Sequence, residues 1–120
     1  MVLKTMRVLV VDDDPLVLSL MDELLESYGY EVTTADSAAV ARAWLAAGTY
    51  DILLVDAPMV ELDCLRLARE IRATGTPVLM LPAGADIAVR VKEAGLPFLT
   101  KPFSPAALRL AIGSVAGARS

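Results

Sequence analysis

The sequence predicts an α/β domain in which helices cover both faces of a parallel β-sheet. Short aliphatic or β-branched runs alternate along the chain with longer amphipathic segments. The short runs are apolar almost throughout, which is typical of strands that are buried on both faces. The length of 120 residues suits one domain, and neither a repeat nor a long linker divides it.

The first elements are a strand over residues 6–11, a helix and a second strand over residues 31–34. Pro15 suits a first helical turn and Gly29 suits a helix exit, so the helix lies between them. Its apolar residues keep helical spacing on one face, with acidic residues opposite. These apolar residues are Val17, Met21, Leu24 and Tyr28.

A second helix and a third strand follow. Ser37 is a suitable N-cap, and Gly48 suits the helix end. Val40, Trp44 and Leu45 are predicted to supply the packing face of this helix. Residues 52–55 form the most apolar strand of the chain.

Five further elements complete the pattern. They are a helix at about 63–73, a strand at 78–81, a helix at about 86–94, a fifth strand at 98–99, and a last helix that Ser104 or Pro105 begins. Five strands that are each followed by a helix indicate right-handed crossovers and a sheet covered on both sides.

Composition excludes several classes of function. The net charge is −4 and no basic cluster is present, which argues against direct binding to nucleic acid. No apolar run approaches the roughly 18 residues that a membrane-spanning helix needs. Histidine is absent, so no Ser-His or Cys-His catalytic pair exists. Cys64 is the single cysteine and cannot form an internal disulfide, so we expect a cytoplasmic protein with no membrane attachment.

Charged residues follow several predicted strands at their carboxyl ends, where ligands bind in sheets of this kind. Clustered carboxylates repel one another unless a cation balances them. A lysine supplies one positive charge, and Mg²⁺ fits the rest because it binds one or two carboxylates together with waters and phosphate oxygens. The strand-end residues are Asp12, Asp13 and Asp14, then Asp56, then Pro82 and Ala83, and finally Thr100, Lys101 and Pro102.

An aspartate beside Mg²⁺ and a lysine is a nucleophile placed to accept a phosphoryl group. The residues alone therefore indicate phosphoryl chemistry on carboxylates. Asp56 is the best-placed nucleophile because it directly follows four buried aliphatic residues.

Four segments resemble the motifs of response-regulator receiver domains of bacterial two-component systems. The resemblance runs from about residue 5 to 116, so it implies a single receiver domain over residues 1–120. It also implies a flavodoxin-like, doubly wound (βα)5 three-layer sandwich with a parallel five-stranded sheet in the order 2-1-3-4-5, as in the chemotaxis member of the family. The segments are Val10 to Pro15, Asp51 to Asp56, Pro77 to Leu81, and Lys101 to Phe103.

The resemblance also implies roles for individual residues. Asp56 is the phosphoacceptor, which a partner histidine kinase phosphorylates with Mg²⁺ as the cofactor. Asp13 binds the metal directly and Asp12 mostly through water. Asp56 and the backbone carbonyl of Pro58 are further ligands.

Other positions are expected to contact the phosphoryl group or to respond to it. Lys101 and Ala83 contact the phosphoryl oxygens, and the bond between Lys101 and Pro102 is cis. The family has Thr or Ser where this chain has Pro82, which offers neither a hydroxyl nor a backbone N–H. Phe98 stands at the aromatic switch position, so we expect a weakened switch.

The loop after Asp56 departs from the family as well. Val60 replaces a proline, and Glu61 and Cys64 replace glycines, which restricts the backbone near the expected metal carbonyl. Pro58 and Gly84 stand at positions that influence phosphate loss, and neither can orient an attacking water. We therefore expect the phosphorylated form to lose its phosphate slowly.

Three functions are compatible with these residues. The first is a phosphoacceptor module that receives phosphate from a histidine kinase or phosphotransfer protein. It would act on a downstream protein or as a homodimer, through the surface of the fourth helix, fifth strand and fifth helix. The second is a pseudo-receiver that binds proteins independently of phosphate. The third, a phosphatase of the haloacid-dehalogenase type, needs an acid where this chain has Pro58. We therefore expect no enzyme beyond self-phosphorylation and self-dephosphorylation.

Overall fold

The computed structural model describes residues 5–56 and 61–117 and confirms the α/β class. Its sheet has four parallel strands in the order β2-β1-β3-β4. The strands are β1 Arg7–Val11, β2 Glu31–Ala35, β3 Ile52–Asp56 and β4 Val78–Leu81. The helices are α1 Pro15–Ser27, α2 Ala38–Ala47, α3 Glu61–Ala73, α4 Ala85–Glu93 and α5 Pro105–Gly117.

Alternating strand residues belong to two separate cores because successive side chains of a strand point to opposite faces. One core packs beneath α1 and α5 and includes Leu25 and Ile112. The other packs beneath α2, α3 and α4 and includes Leu67 and Val91. The central strand β3 is buried along its whole length, as its apolar composition predicts. No described helix is long and apolar enough to cross a membrane.

Three helices, α1, α2 and α5, have a side-chain cap at their N-terminus. Each cap fixes the residue at which the preceding loop ends and the helix begins. The carboxylate of Asp14 accepts a hydrogen bond from the Leu16 N–H at 2.9 Å. The Ser37 hydroxyl accepts one from the Val40 N–H, and the Ser104 hydroxyl accepts one from the Ala107 N–H. These bonds satisfy amides that a helix leaves without internal partners.

The predicted fifth strand is reduced to a single parallel bridge between Met80 and Phe98. The Met80 N–H donates to the Pro97 carbonyl, and the Leu99 N–H donates to the Met80 carbonyl, both at 2.9 Å. One more pair on either side would need an N–H at residue 97 or at residue 82, and both residues are proline. Two prolines at these register positions therefore prevent a longer ladder.

Two side chains of the packing face predicted for α2 are more exposed than the sequence suggested. Trp44 is 44% exposed and Val40 is 39% exposed, so the packing face predicted for α2 is wrong in part. The alanines Ala38 and Ala41 are buried instead, because small side chains allow this helix to lie close to the sheet. Phe98, at the predicted switch position, is 38% exposed.

Candidate functional site

The carboxyl ends of β1 and β3 bring Asp56 and its neighbours to one edge of the sheet. Asp56 is the last residue of β3 and only 1% of its surface is exposed. The Lys101 Nζ lies 2.6 Å from Asp56 Oδ1 and forms an ion pair with it. Within the described part of the chain, neither carboxylate oxygen of Asp56 accepts a hydrogen bond of normal geometry. Lys101 is therefore the cation that pairs with this carboxylate, and Oδ2 has no hydrogen-bond donor among the described residues.

The charge state of Asp56 reflects two opposing influences. Burial raises the pKa of this carboxyl because it disfavours the charged form. Interactions with Lys101 and with the Asp12 carboxyl oppose part of that increase. The lysine thus helps to keep a buried carboxylate ionised, and an ionised carboxylate is what a nucleophile requires.

Asp12 is a second buried carboxyl beside Asp56, with 3% of its surface exposed. Its Oδ1 accepts a hydrogen bond from the Asp14 N–H at 2.8 Å. The pKa of Asp12 is raised to about 6, mainly by burial and further by the negative charge of Asp56 and the neighbouring Asp13. This edge of the sheet therefore carries more negative charge than Lys101 balances.

The donor chemistry of this edge fits a hard divalent cation. Asp12 and Asp56 offer buried carboxylate oxygens, and Mg²⁺ commonly takes one or two carboxylates together with waters. Asp13 is exposed beside them. No group of three acidic, histidine or cysteine side chains is close enough to hold a metal within residues 5–56 and 61–117. The expected carbonyl of Pro58 lies outside the described residues, as do Met59 and Val60.

The fourth and fifth strand ends complete the site. Pro82 is buried, and its carbonyl accepts a hydrogen bond from the Lys101 N–H at 2.8 Å. That bond ties the backbone of the lysine to the end of β4. The Lys101–Pro102 peptide is cis, as predicted. Ala83 is exposed next to Pro82, where its backbone can face a ligand.

Two acidic residues of the predicted motifs have structural roles instead. Asp14 caps α1, and Asp51 accepts a hydrogen bond from the Arg7 N–H at 2.7 Å at the opposite edge of the sheet. Conversely, sequence reasoning overlooked Asp36, an exposed acid that directly follows β2 at the site's own edge. Its place after a strand was the signal that would have found it.

Comparison with known proteins identifies the family. The response regulator receiver domain matches residues 8–113. Protein PetR of Rhodobacter capsulatus is 35% identical over 113 residues, which are 91% of this chain and 48% of PetR. Transcriptional regulatory protein GlrR of Escherichia coli is 40% identical over 114 residues, 91% of this chain and 26% of GlrR. The chain thus spans less than half of the length of these two relatives.

Solved structures agree with the sequence comparison. A putative response regulator from Chloroflexus aurantiacus is 30% identical with a TM-score of 0.83, covering 95% of this chain and 99% of that one. The receiver domain of sensor histidine kinase PA1611 from Pseudomonas aeruginosa is 26% identical with a TM-score of 0.80, covering 95% and 99%. That structure holds a magnesium ion in its active site cleft. From the fold, the strand-end acids and these matches, the chain belongs to the response regulator receiver domains of two-component systems.

Proposed function

We propose that this domain accepts a phosphoryl group on Asp56 from a phosphohistidine of a partner histidine kinase or phosphotransfer protein. The observation that supports this most strongly is a buried carboxylate at a strand end, ion-paired to a lysine at 2.6 Å, whose other oxygen has no hydrogen-bond donor among the described residues. A structural aspartate that is buried is normally hydrogen-bonded, because an unsatisfied buried acceptor is destabilising. An unsatisfied carboxylate oxygen at Asp56 therefore favours a reacting group over a structural one.

In the proposed reaction, an oxygen of the Asp56 carboxylate attacks phosphorus while the bond from phosphorus to the histidine nitrogen breaks. Lys101 contacts the oxygens of the phosphoryl group and offsets their charge. Asp12, Asp13, Asp56 and the Pro58 carbonyl would hold Mg²⁺, and a bound Mg²⁺ would supply the remaining positive charge. Ala83 contributes a backbone contact at the end of β4.

The descriptions of the similar proteins support this assignment. PA1611 is a sensor histidine kinase whose receiver domain coordinates magnesium, and GlrR is a transcriptional regulator. The comparisons give no support to a pseudo-receiver. We infer that this domain passes its signal to an effector, either in the same longer chain or in a separate protein.

Pro82 stands where a receiver with Thr or Ser would have a hydroxyl at the end of the fourth strand. A hydroxyl at this position would donate a hydrogen bond to the phosphoryl group, and bonds to charged groups contribute about 1.5–3 kcal/mol. Proline cannot donate one, and Phe98 already lies partly in solvent. We propose that phosphorylation shifts the conformation of this domain less than it shifts that of a receiver with Thr or Ser.

The test is Mg²⁺-dependent labelling with a small phosphodonor such as phosphoramidate, followed by intact mass. Wild type is expected to gain one phosphoryl group with Mg²⁺ and none with excess EDTA. Asp56→Asn should gain none, while the exposed control Asp86→Asn should match wild type. No gain in wild type, under conditions that label another receiver, would favour the pseudo-receiver, and a gain in Asp56→Asn would place the acceptor elsewhere.

A further inference from the structure

The outer face of α2 is unusually apolar for a helix on the surface. Its exposed side chains recur at helical spacing and carry neither charge nor hydrogen-bonding groups, apart from one indole N–H. We call this set the α2 outer face; it consists of Ala39, Val40, Ala43, Trp44 and Ala47. Surface helices usually present charged or polar residues there, whereas a helix that is apolar all round is usually buried.

The rest of α2 does not compensate for this composition. Arg42 is its only charged residue, and its guanidinium pairs with Glu70 of α3 at 2.9 Å, away from the outer face. The inner face packs on the sheet through Ala38 and Ala41. Leu45 packs against the core, whereas the other two large apolar side chains of this helix, Val40 and Trp44, are exposed.

A groove between α1 and α2 adjoins this face. Its volume is about 590 Å³, and Val40 and Trp44 form one wall. The opposite wall is α1, and the end of β2 forms the floor. The lining residues are Pro15, Leu18, Ser19, Asp22, Thr34, Asp36, Val40 and Trp44.

The groove is acidic as well as apolar. Asp22 has one carboxylate oxygen that is buried and has no hydrogen-bond partner among the described residues. Asp36 is exposed at the other side of the groove. The ion pairs Arg7–Glu31, Arg42–Glu70 and Lys101–Asp56 involve neither of these two aspartates.

Negative charge is concentrated in this part of α1, which carries Asp22, Glu23 and Glu26. The pKa of Glu26 is raised above its ordinary value, first by a hydrogen bond with the Asp22 carboxyl and then by repulsion from Asp22 and Glu23. A cation placed beside Asp22 would relieve this repulsion.

We propose that the α2 outer face and the adjoining groove dock a protein segment that carries apolar side chains and at least one arginine or lysine. The apolar side chains would cover Val40 and the alanines. The basic group would lie over the indole ring of Trp44 and pair with Asp22 and Asp36, which combines a cation–π contact with a charge-assisted hydrogen bond. Anionic membranes and nucleic acids are repelled by these carboxylates, and a second copy of the chain would bring acid against acid.

Neither Asp56 nor Lys101 lines the groove, so the proposal does not depend on phosphorylation. Trp44 is the only tryptophan of the chain, which makes its fluorescence a direct reporter of the groove. The probe is a synthetic amphipathic peptide of leucine, alanine and arginine, compared with a peptide in which glutamate replaces every arginine. The arginine peptide is expected to shift the Trp44 emission to shorter wavelength with saturation, and the glutamate peptide is expected to leave it unchanged.

Variants locate the binding. The double variant Asp22→Asn with Asp36→Asn is expected to lower the affinity for the arginine peptide about fivefold or more. Each exposed or partly buried charge pair contributes up to about that factor to the affinity. Trp44→Ala, followed by anisotropy of a labelled peptide, should weaken it similarly. The matched control is Asp86→Asn with Val89→Ala, which removes an exposed acid and an exposed apolar side chain from α4 and should leave affinity unchanged. Circular dichroism checks that each variant is folded.

Four results would overturn the proposal. The first two are equal binding of both peptides, and an unchanged Trp44 emission with the arginine peptide. The third is equal weakening by the α4 control. The fourth is self-association that Trp44→Ala abolishes, since that would assign the surface to a second copy of the chain.

Discussion

Replacing Asp12 by asparagine tests the electrostatics of the site directly. Asp12 is buried, lies beside Asp56, and has a pKa of about 6 instead of its ordinary 3.8. Without a divalent cation, its charge at neutral pH therefore destabilises the folded domain. Asparagine removes the charge and keeps an oxygen that can accept the hydrogen bond from the Asp14 N–H. We expect Asp12→Asn to raise the free energy of unfolding in EDTA at neutral pH.

The raised pKa fixes both the sign and the limit of this effect. Between pH 3.8 and about 6, the folded state keeps a proton that the unfolded state has released. The free energy of unfolding of wild type therefore falls as the pH rises through this window and stays low above it. Each pKa unit corresponds to about 1.4 kcal/mol, so the destabilisation that Asp12 contributes at neutral pH is at most about 3 kcal/mol.

Urea unfolding of wild type and Asp12→Asn in EDTA, at about pH 4 and about pH 7.5, measures this difference. The variant should exceed wild type by about 1–3 kcal/mol at the higher pH, and the two should converge at the lower pH. Added Mg²⁺ should narrow the gap, because a ligand of the folded state stabilises the protein that binds it. A variant less stable than wild type at pH 7.5 in EDTA, or a gap independent of pH, would refute the reasoning.

Three further substitutions test the fold and the site. Pro82→Thr restores an N–H that can reach the Leu99 carbonyl, so hydrogen exchange measured by NMR should show a protected amide at residue 82; a rapidly exchanging amide would contradict the proposed cause of the short fifth strand. Lys101→Met removes the cation beside the buried carboxylate and should reduce labelling by the phosphodonor about tenfold or more; unchanged labelling rates would show that this lysine is not in the site. Leu108→Ala in the core of α5 should destabilise by about 2–5 kcal/mol in urea unfolding, while Leu110→Ala, 76% exposed on the same helix, should stay within about 0.5 kcal/mol, and equal effects would contradict the assigned faces of α5.

Elements whose signals are local were predictable. The apolar run of β3 and the caps at Ser37 and Ser104 act over a few residues, so their sequence is enough to place them. The position of Asp56 was predictable for a related reason. A residue that directly follows a buried parallel strand must lie at the carboxyl edge of the sheet, together with residues that follow the other strands.

Features that depend on distant neighbours were not predictable in the same way. Nine of the ten residues of α2 are apolar, but the sequence does not show which of them face the sheet. Small alanines pack there because they let the helix approach closely, and this leaves Trp44 outside. The groove with Asp22 and Asp36 exists only because α1 and α2 flank the edge strand from opposite sides.

The sequence by itself determined the α/β pattern, the strand-end acids and the absence of a hydroxyl at Pro82. The tertiary structure decided what these residues do. Pro82 and Pro97 lie in different segments of the chain, and the sequence does not show that they flank the same bridge. The register that pairs Met80 with Phe98 places both prolines where the next backbone N–H groups are required. The residue type decides whether a backbone nitrogen can donate a hydrogen bond. The pairing of distant segments decides at which positions such a donor is needed to extend the sheet.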